Sequence, residues 1–228
     1  MLNDITLLTA NFNNSYMIMK MLESFMLMVK QYINVVIIDN SDKIPVRNTL
    51  KELFTVIDNT NFKLTPNYNQ GSKNHAASID FALQNCINTK YVLLCDSDIL
   101  FKYEFKNFLD LRHKYDAIGN ILVNSFVLKE RLDPCCCIFD VEKYKMNKIN
   151  YFDNNRCIEP NIPGMEQYDT GASFLEDIQN AKWKIKTIHQ PSLYYAHFMD
   201  GTHKSKEEYI QFLNDNNIQG SIDEMLFV

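Results

Sequence analysis

Charge-free apolar runs alternate with longer amphipathic segments through the first hundred residues of the chain. A run such as Tyr91–Cys95 has no polar period and is typical of a strand buried on both faces of a sheet. The predicted strands are residues 5–10, 35–38, 55–58 and 91–95, and the predicted helices are 16–30, 46–54 and 74–86. Ser15 is the predicted N-cap of the first helix. This order predicts an α/β fold, a mostly parallel sheet flanked by helices.

The pattern is less regular after residue 98. Helices are predicted at 103–114, 170–181 and 204–214, strands at 117–123, 135–139 and 183–188, and a long loop at 150–165. Loops of that length inside a compact domain are usually functional. No linker, charge block or repeat divides the 228 residues, so a single domain over residues 1–228 is expected.

Composition and charge narrow the class of protein. The formal net charge is -5, and no stripe of Lys and Arg indicates nucleic acid or an anionic membrane surface as a partner. The most apolar predicted helix carries Lys20 and Glu23, and the first strand begins close to Met1, so neither a membrane span nor a signal peptide is predicted. We therefore expect a soluble, intracellular, cytoplasmic protein. Its six cysteines form no C-x-x-C pair and are expected to be buried, reduced thiols.

Polar side chains stand where several predicted strands end. Asp96-Ser97-Asp98 follows an apolar run directly, while Thr9, Asn11 and Asp39 lie at the ends of the first two strands. Ligands of open α/β folds bind at the carboxyl edge of the sheet, and paired carboxylates there supply the oxygen ligands that hard cations prefer. Asp is also common in turns and at N-caps, so Asp-x-Asp alone is a weak signal.

Five short motifs in order resemble those of the GT-A glycosyltransferases, most closely the family 2-like inverting enzymes. The resemblance extends from about residue 5 to residue 204. The matching positions are Thr9-Ala10-Asn11, Asp39-Asn40-Ser41, Asn69-Gln70-Gly71, Asp96-Ser97-Asp98, and His197 with Gly201 and Thr202. The resemblance implies a GT-A fold, a Rossmann-like sheet with a nucleotide-binding half at 1–100 and an acceptor-binding half at 101–228.

The resemblance also implies roles for individual residues. Those expected to bind the nucleotide sugar are Thr9, Asn11, Asp39, Asn69, Gly71, Lys73, Asp96 and Ser97. Asp98 and His197 are the expected direct ligands of Mn²⁺ or Mg²⁺, with Asp96 bound to the metal, to its water or to ribose. Some of the nucleotide-sugar residues have a structural alternative, in which Thr9, Asn11 and Asp39 simply form turns and Lys73 is a solvated cation. His203 and Lys204 are expected near the diphosphate, and His75 is expected to be structural.

The catalytic base and the acceptor site are the least defined predictions. Inversion requires a base for the acceptor hydroxyl, and the resemblance places an acidic residue at the start of the helix after the acceptor loop, where Asp169 stands. Asp169 is alternatively an N-cap, and the competing acids are Glu166, Glu176 and Asp177. The segment Asp133-Pro134-Cys135 and the loop to Met165 are expected to line the acceptor site, and Trp183 or Tyr194-Tyr195 to stack on a sugar, with Trp183 equally plausible as core.

The function expected from these residues is metal-dependent transfer of a sugar from a nucleoside-diphosphate donor, most simply a UDP-sugar, to a hydroxyl of a glycan or glycoconjugate. A sugar-phosphate nucleotidyltransferase is the alternative enzyme, but the chain has no Gly-rich basic loop after the first strand. The absence of G-x-G-x-x-G there disfavours a dinucleotide-dependent oxidoreductase. A catalytically inactive carbohydrate-binding relative remains the non-enzymatic alternative.

Overall fold

The computed structural model describes residues 2–41, 45–58, 71–123, 129–151, 153, 168, 170–198 and 205–218, with residues 71–73 described as backbone. The strands are β1 Leu2–Asn11, β2 Ile33–Asp39, β3 Thr55–Asp58, β4 Tyr91–Cys95, β5 Ile99–Phe101, β6 Ala117–Leu122, β7 Arg131–Asp140, β8 Ile185–Thr187 and β9 Tyr195–His197. The helices are α1 Ser15–Val29, α2 Asn48–Leu53, α3 Gly71–Asn85, α4 Phe105–Asp110, α5 Val141–Met146, α6 Ala172–Asn180 and α7 Lys206–Asp215.

Both halves of the chain contribute strands to one sheet of order β3-β2-β1-β4-β7-β6-β8. Strands β1 to β4 are mutually parallel, β7 runs antiparallel to both of its neighbours, and β8 is parallel to β6. The predicted mostly parallel sheet is confirmed. The chain builds outward from β1 through β2 and β3, and then returns to add β4 on the other side of β1. The order therefore reverses between β1 and β4, and such reversals mark ligand sites at the carboxyl edge of open sheets.

Alternate residues of each strand pack into the two layers of helices. Leu7 and Ile37 lie in one apolar cluster with residues of α1 and α4, whereas Leu8 and Ile38 lie in another with residues of α3 and α6. This period of two explains why the central strands are apolar on both faces. A third cluster joins α7 to the amino-terminal end of α1 and to β5. Within the described part of the chain, no helix is long and apolar enough to cross a bilayer.

The first helix begins as predicted, but its cap is a different residue. Asn14 is the N-cap, and its side-chain oxygen accepts a hydrogen bond from the Met17 amide at 3.3 Å. Ser15 is the first helical residue, and its hydroxyl instead accepts from the Arg47 amide at 3.1 Å. The prediction of Ser15 as cap is therefore wrong, because Ser15 is buried against the segment that leads into α2.

The largest differences from the predicted elements lie in the second half. The three-residue strand β5 and the helix α5 were not predicted, and β7 begins four residues before the predicted strand. Pro134 lies inside β7 where its pairing with β6 is interrupted, since proline has no amide to donate to a ladder. Most of the predicted loop at 150–165 lies outside the described residues.

The cysteine prediction is confirmed for the thiols of the sheet. Cys95 and Cys135-Cys136-Cys137 are buried and free, and burial raises the pKa of all four. Cys86 is also free and is half-buried. Cys157 lies outside the described residues.

Candidate metal and nucleotide-sugar site

A short antiparallel pair of strands brings the Asp-x-Asp motif next to the late histidine. Strand β4 ends at Cys95, and the Asp96 amide donates to the Cys135 carbonyl at 3.0 Å. The chain then turns and starts β5, in which Ile99 pairs with His197 of β9. The Phe198 amide donates to the Asp98 carbonyl at 3.0 Å and extends this ladder by one step. Residues about 100 positions apart are thus held together by backbone register.

Three side chains converge here with the geometry of a cation site. Asp96, Asp98 and His197 each offer one ligand atom, and these atoms lie within 4.8 Å of one another. His197 Nε2 is 3.3 Å from Asp98 Oδ1, an oxygen that is buried and accepts no hydrogen bond from the described residues. Adjacent ligands of an octahedral ion with bonds of about 2.1 Å stand about 3.0 Å apart. Two carboxylates and one imidazole therefore fit Mn²⁺ or Mg²⁺ in both chemistry and spacing.

The electrostatics of the cluster also favour a cation. Burial, and then the charge of Asp98, raise the pKa of Asp96 to about 7, although His197 opposes the shift. Burial lowers the pKa of His197, but Asp98, Asp96 and Asp133 outweigh it and the net shift is upward. Close acidic groups that raise one another's pKa are the setting in which a divalent cation would relieve the repulsion.

His75, which was expected to be structural, lies close to the metal cluster. It lies near the start of α3, and its Nε2 is 3.9 Å from Asp96 Oδ1. Burial lowers its pKa to about 4, so the imidazole is neutral near pH 7. The sequence held a signal for this position, because a helix that starts at the carboxyl edge directs its first turns towards the residues at that edge.

The carboxyl end of β1 carries buried polar atoms that have no partner in the described part of the chain. Thr9 and Asn11 are both fully buried. The Asn11 amide nitrogen donates to Asp39 Oδ1 at 3.1 Å and to Ser41 Oγ at 2.7 Å. The Asn11 Oδ1 and Thr9 Oγ1 atoms have no hydrogen-bond partner among the described residues. Buried polar groups are almost always hydrogen-bonded, so these two atoms fit a ligand that supplies donors.

Asp39 already supports the loop that follows β2. Besides the Asn11 amide, its carboxylate accepts from the Ser41 amide at 3.2 Å and from the Val46 amide at 2.7 Å. A carboxylate has about four acceptor positions, which leaves one for a ligand. Asp39 therefore acts as a turn former here and orients Asn11, whatever else it binds.

Other predicted site residues fall in three groups. Ser97 is half-exposed in the turn between β4 and β5, and Gly71 and Lys73 stand in the first turn of α3. The residues that lie outside the described part of the chain are Asn69, Glu166, Asp169, Gly201, Thr202, His203 and Lys204. Glu176 is engaged elsewhere, because it accepts from the Tyr168 hydroxyl at 3.1 Å and lies 3.5 Å from the Lys129 ammonium.

The predicted aromatic platforms do not face this site. Trp183 is buried and packs edge-on against Phe174, which makes it a core residue. Tyr195 is also buried, and its hydroxyl lies 3.5 Å from the Cys135 sulfur. Tyr194 is half-buried and packs against Phe108. The burial of Trp183 and Tyr195 leaves little ring surface on which a sugar could stack.

Known structures share this fold at low sequence identity. No protein-family model matches the sequence, and no curated protein is significantly similar to it. The galactosyltransferase LgtC, solved with donor and acceptor sugar analogs, aligns with a TM-score of 0.56 at 11% identity over 96% of this chain and 98% of LgtC. The mannosyltransferase PcManGT from Pyrobaculum calidifontis aligns with a TM-score of 0.55 at 13% identity over 81% of this chain and 54% of its own.

The S. aureus protein TarS gives a TM-score of 0.53 at 16% identity over 84% of this chain and 59% of its own. The chain therefore spans less than two thirds of the TarS and PcManGT structures. At these identities the likeness establishes the fold. It is the GT-A fold, as the sequence motifs predicted.

Proposed function

We propose that this protein is a metal-dependent glycosyltransferase that moves a sugar from a nucleoside-diphosphate sugar to a hydroxyl of a glycan or glycoconjugate. The observation that carries the proposal is the convergence of Asp96, Asp98 and His197 beside the reversal of strand order in a GT-A fold. A cation site at this place suits a substrate with two phosphates. Hexosyl or deoxyhexosyl transfer is the expected chemistry.

The structural neighbours support this class of substrate. TarS has been solved with UDP-GlcNAc, in a structure that aligns with a TM-score of 0.51, and PcManGT with GDP-Man and Mn²⁺. We take UDP as the donor nucleotide, because a uracil ring offers both a donor and an acceptor edge. Its ring N–H suits Asn11 Oδ1 or the remaining acceptor position of Asp39, and the Thr9 hydroxyl complements either edge.

The remaining donor contacts follow the order of the strands. We assign ribose contacts to Ser97 and Asp96, and contacts with the diphosphate to Asn69, Gly71 and Lys73. Asp98 and His197 would hold Mn²⁺ or Mg²⁺, with Asp96 as a third ligand or bound to its water. When bound, such an ion offsets the negative charge that develops on the departing diphosphate.

The reaction proposed is inverting, with Asp169 as the base that takes the proton from the acceptor hydroxyl during attack. Glu176 is a weaker candidate, since it is bonded to Tyr168 and Lys129. Analysis of the product anomer by proton NMR tests the stereochemistry. Retention of the donor configuration would contradict the inverting mechanism and leave the transferase proposal intact.

Incubation with a panel of UDP- and GDP-sugars and Mn²⁺, with detection of released nucleotide, tests the function. We expect release from one UDP-sugar, and loss of that release in Asp98→Ala. Asp110→Ala is the matched control, because this carboxylate is 79% exposed on α4 and pairs only loosely with Arg112. Consumption of a nucleoside triphosphate with release of pyrophosphate would indicate a nucleotidyltransferase instead. Nucleotide-sugar binding without turnover would indicate an inactive relative.

A further inference from the structure

Asp133 is an acidic side chain next to the metal cluster but outside it. It lies near the start of β7, and β7 runs antiparallel to β4, so this end of β7 reaches the carboxyl edge of the sheet. The bond from the Asp96 amide to the Cys135 carbonyl fixes the Asp133-Pro134-Cys135 segment beside Asp96. Asp133 is not among the three residues whose ligand atoms lie within 4.8 Å of one another.

The position of Asp133 along the edge matches one part of a nucleotide sugar. The neighbouring strands β2, β1, β4 and β7 carry Asp39, Asn11, Asp96 and Asp133 in that order. Strands stand about 4.8 Å apart, so this row spans about 14 Å. The parts of a nucleotide sugar follow one another in the order base, ribose, diphosphate and sugar, and they can lie along this row in the same order. With the base at β1 and β2 and the diphosphate at the cation site beside β4, the sugar comes to lie at β7.

The chemistry around Asp133 suits a sugar. The carboxylate is half-buried and accepts from the Cys135 amide at 3.1 Å and from the Cys135 thiol at 3.4 Å, which leaves acceptor positions for hydroxyl donors. A second polar atom lies near the Asp133 segment.

That atom is the Tyr151 hydroxyl, which is buried and has no hydrogen-bond partner among the described residues. Burial raises the pKa of Tyr151, and the charges of Cys137, Asp96 and Asp133 add to the shift. A Cβ atom at Gly171 would lie 3.2 Å from this hydroxyl and closer still to the Leu132 carbonyl oxygen, so the hydroxyl lies close to the segment that carries Asp133.

We infer that Asp133 binds a hydroxyl group of the transferred sugar and thereby selects the donor sugar. The inference rests on the proposed function, and it moves Asp133 from the acceptor side, where the sequence suggested it, to the donor sugar. A hydrogen bond to a charged group at this position strengthens binding of the UDP-sugar and leaves binding of UDP unchanged.

Calorimetry with Mn²⁺ on the full chain tests the inference through the ratio of two affinities, that for the preferred UDP-sugar over that for UDP. We expect Asp133→Ala to lower this ratio by about tenfold to hundredfold with UDP affinity unchanged. Asp133→Asn keeps an oxygen for the Cys135 amide and should lower the ratio less. Glu130→Gln, an exposed acid just before β7, is the control and should leave the ratio as in the wild type.

Three results would overturn the inference. The first is an unchanged ratio in Asp133→Ala. The second is equal weakening of UDP and UDP-sugar binding in that variant, which indicates a structural role. The third is a wild-type protein that binds every UDP-sugar no better than UDP. Each of these leaves nucleotide binding in place and the proposed function standing. Failure of the wild type to bind any nucleotide is a different result, because it contradicts the proposed function itself. Should Asp133→Ala fail to fold, Asp133→Asn decides by the same ratio.

Discussion

The amino edge of the central sheet, where the parallel strands begin, and the carboxyl edge, where they end, differ in how their polar groups are paired. At the amino edge, Arg112 donates two hydrogen bonds to the Asp4 carboxylate, at 3.0 and 3.1 Å, and a third to the Leu109 carbonyl at 2.7 Å. At the carboxyl edge, Thr9 Oγ1, Asn11 Oδ1 and Asp98 Oδ1 are buried without hydrogen-bond partners among the described residues. The Asp4–Arg112 pair is satisfied within the described residues, whereas these three oxygens at the carboxyl edge are open to a ligand.

The amino edge also carries a cleft, but its lining residues differ in chemistry from those of the carboxyl edge. A cleft of about 460 Å³ opens at the amino edge, between the starts of β2 and β3 and the turn before β4. Thr6, Thr55 and Thr89 are among its lining residues, which include no carboxylate, imidazole or ammonium group. Thr6 and Thr89 already hydrogen-bond each other at 2.8 Å. The carboxylates, the imidazole and the unpartnered oxygens therefore make the carboxyl edge the candidate site. Substitutions at either edge test this difference.

The largest effect is expected at Asp169, the proposed catalytic base. Asp169→Asn should lower the rate of transfer by about 10² to 10⁴-fold while donor affinity stays nearly unchanged, because the carboxylate acts only as the bond to the acceptor forms. Asparagine can still cap a helix, so the substitution separates a catalytic loss from a structural one. Steady-state rates with the active donor and acceptor measure the effect.

Matched substitutions of the neighbouring acids serve as controls for this prediction. Glu166→Gln and Asp177→Asn should retain transfer. Near-normal transfer in Asp169→Asn, together with its loss in either control, would move the base to that neighbour without changing the class of enzyme.

An intermediate effect is expected at Asp39, one of the residues proposed to bind the uracil ring. Asp39→Ala should weaken UDP binding by about 1–3 kcal/mol, because it removes an acceptor and frees the Asn11 amide that Asp39 holds. Asp58→Ala, at the end of the next strand outward, is the control for a lost charge at the same edge. Unchanged UDP affinity, or tighter binding of GDP than of UDP, would count against the assignment of uridine.

The smallest effect is expected at the amino edge, and on stability rather than binding. Arg112→Met should lower the free energy of unfolding by about 1–2 kcal/mol, less than for a fully buried pair because Asp4 is partly exposed. Nucleotide affinity should not change. A marked loss of UDP binding in a folded Arg112→Met protein would erase the contrast between the two edges.

The same pair gives this prediction a pH dependence. Burial raises the pKa of Asp4, but the hydrogen bonds and charge of Arg112 outweigh it and the pKa falls below its usual 3.8. A lowered pKa means that the pair stabilises the fold above about pH 4 and that this stabilisation is lost as the pH falls through the lowered value. Urea unfolding of wild type and Arg112→Met should therefore differ at pH 7 and converge in acid.

The first half of the fold follows from local pattern, and the second half does not. Strand β4 begins and ends at the predicted residues because an apolar run of five bounded by charge leaves little ambiguity. Strands β5 and β9 have only three residues each, too few to show a period. Their pairing is what brings His197 to Asp98, so only the family resemblance indicated that contact beforehand.

Tertiary packing likewise decided the roles of single residues. Nothing local in the sequence distinguishes Trp183 as a sugar platform from Trp183 as core, and burial against Phe174 settles the matter. The proximity of His75 to Asp96 was not predicted, because it depends on how α3 packs beside β4. Asp39 was correctly predicted to lie at the end of β2. Its carboxylate also accepts hydrogen bonds from Asn11, Ser41 and Val46, and the sequence could not predict these because they depend on how the loop after β2 folds.

Calorimetric titration of UDP into the wild-type protein, once with Mn²⁺ and once with EDTA, tests the central claim most directly. If Asp98 and His197 hold a cation against the diphosphate, Mn²⁺ should strengthen UDP binding, and Asp98→Ala should remove that enhancement while its thermal unfolding stays cooperative. Equal UDP affinity in Mn²⁺ and in EDTA would contradict the proposed metal site at the carboxyl edge.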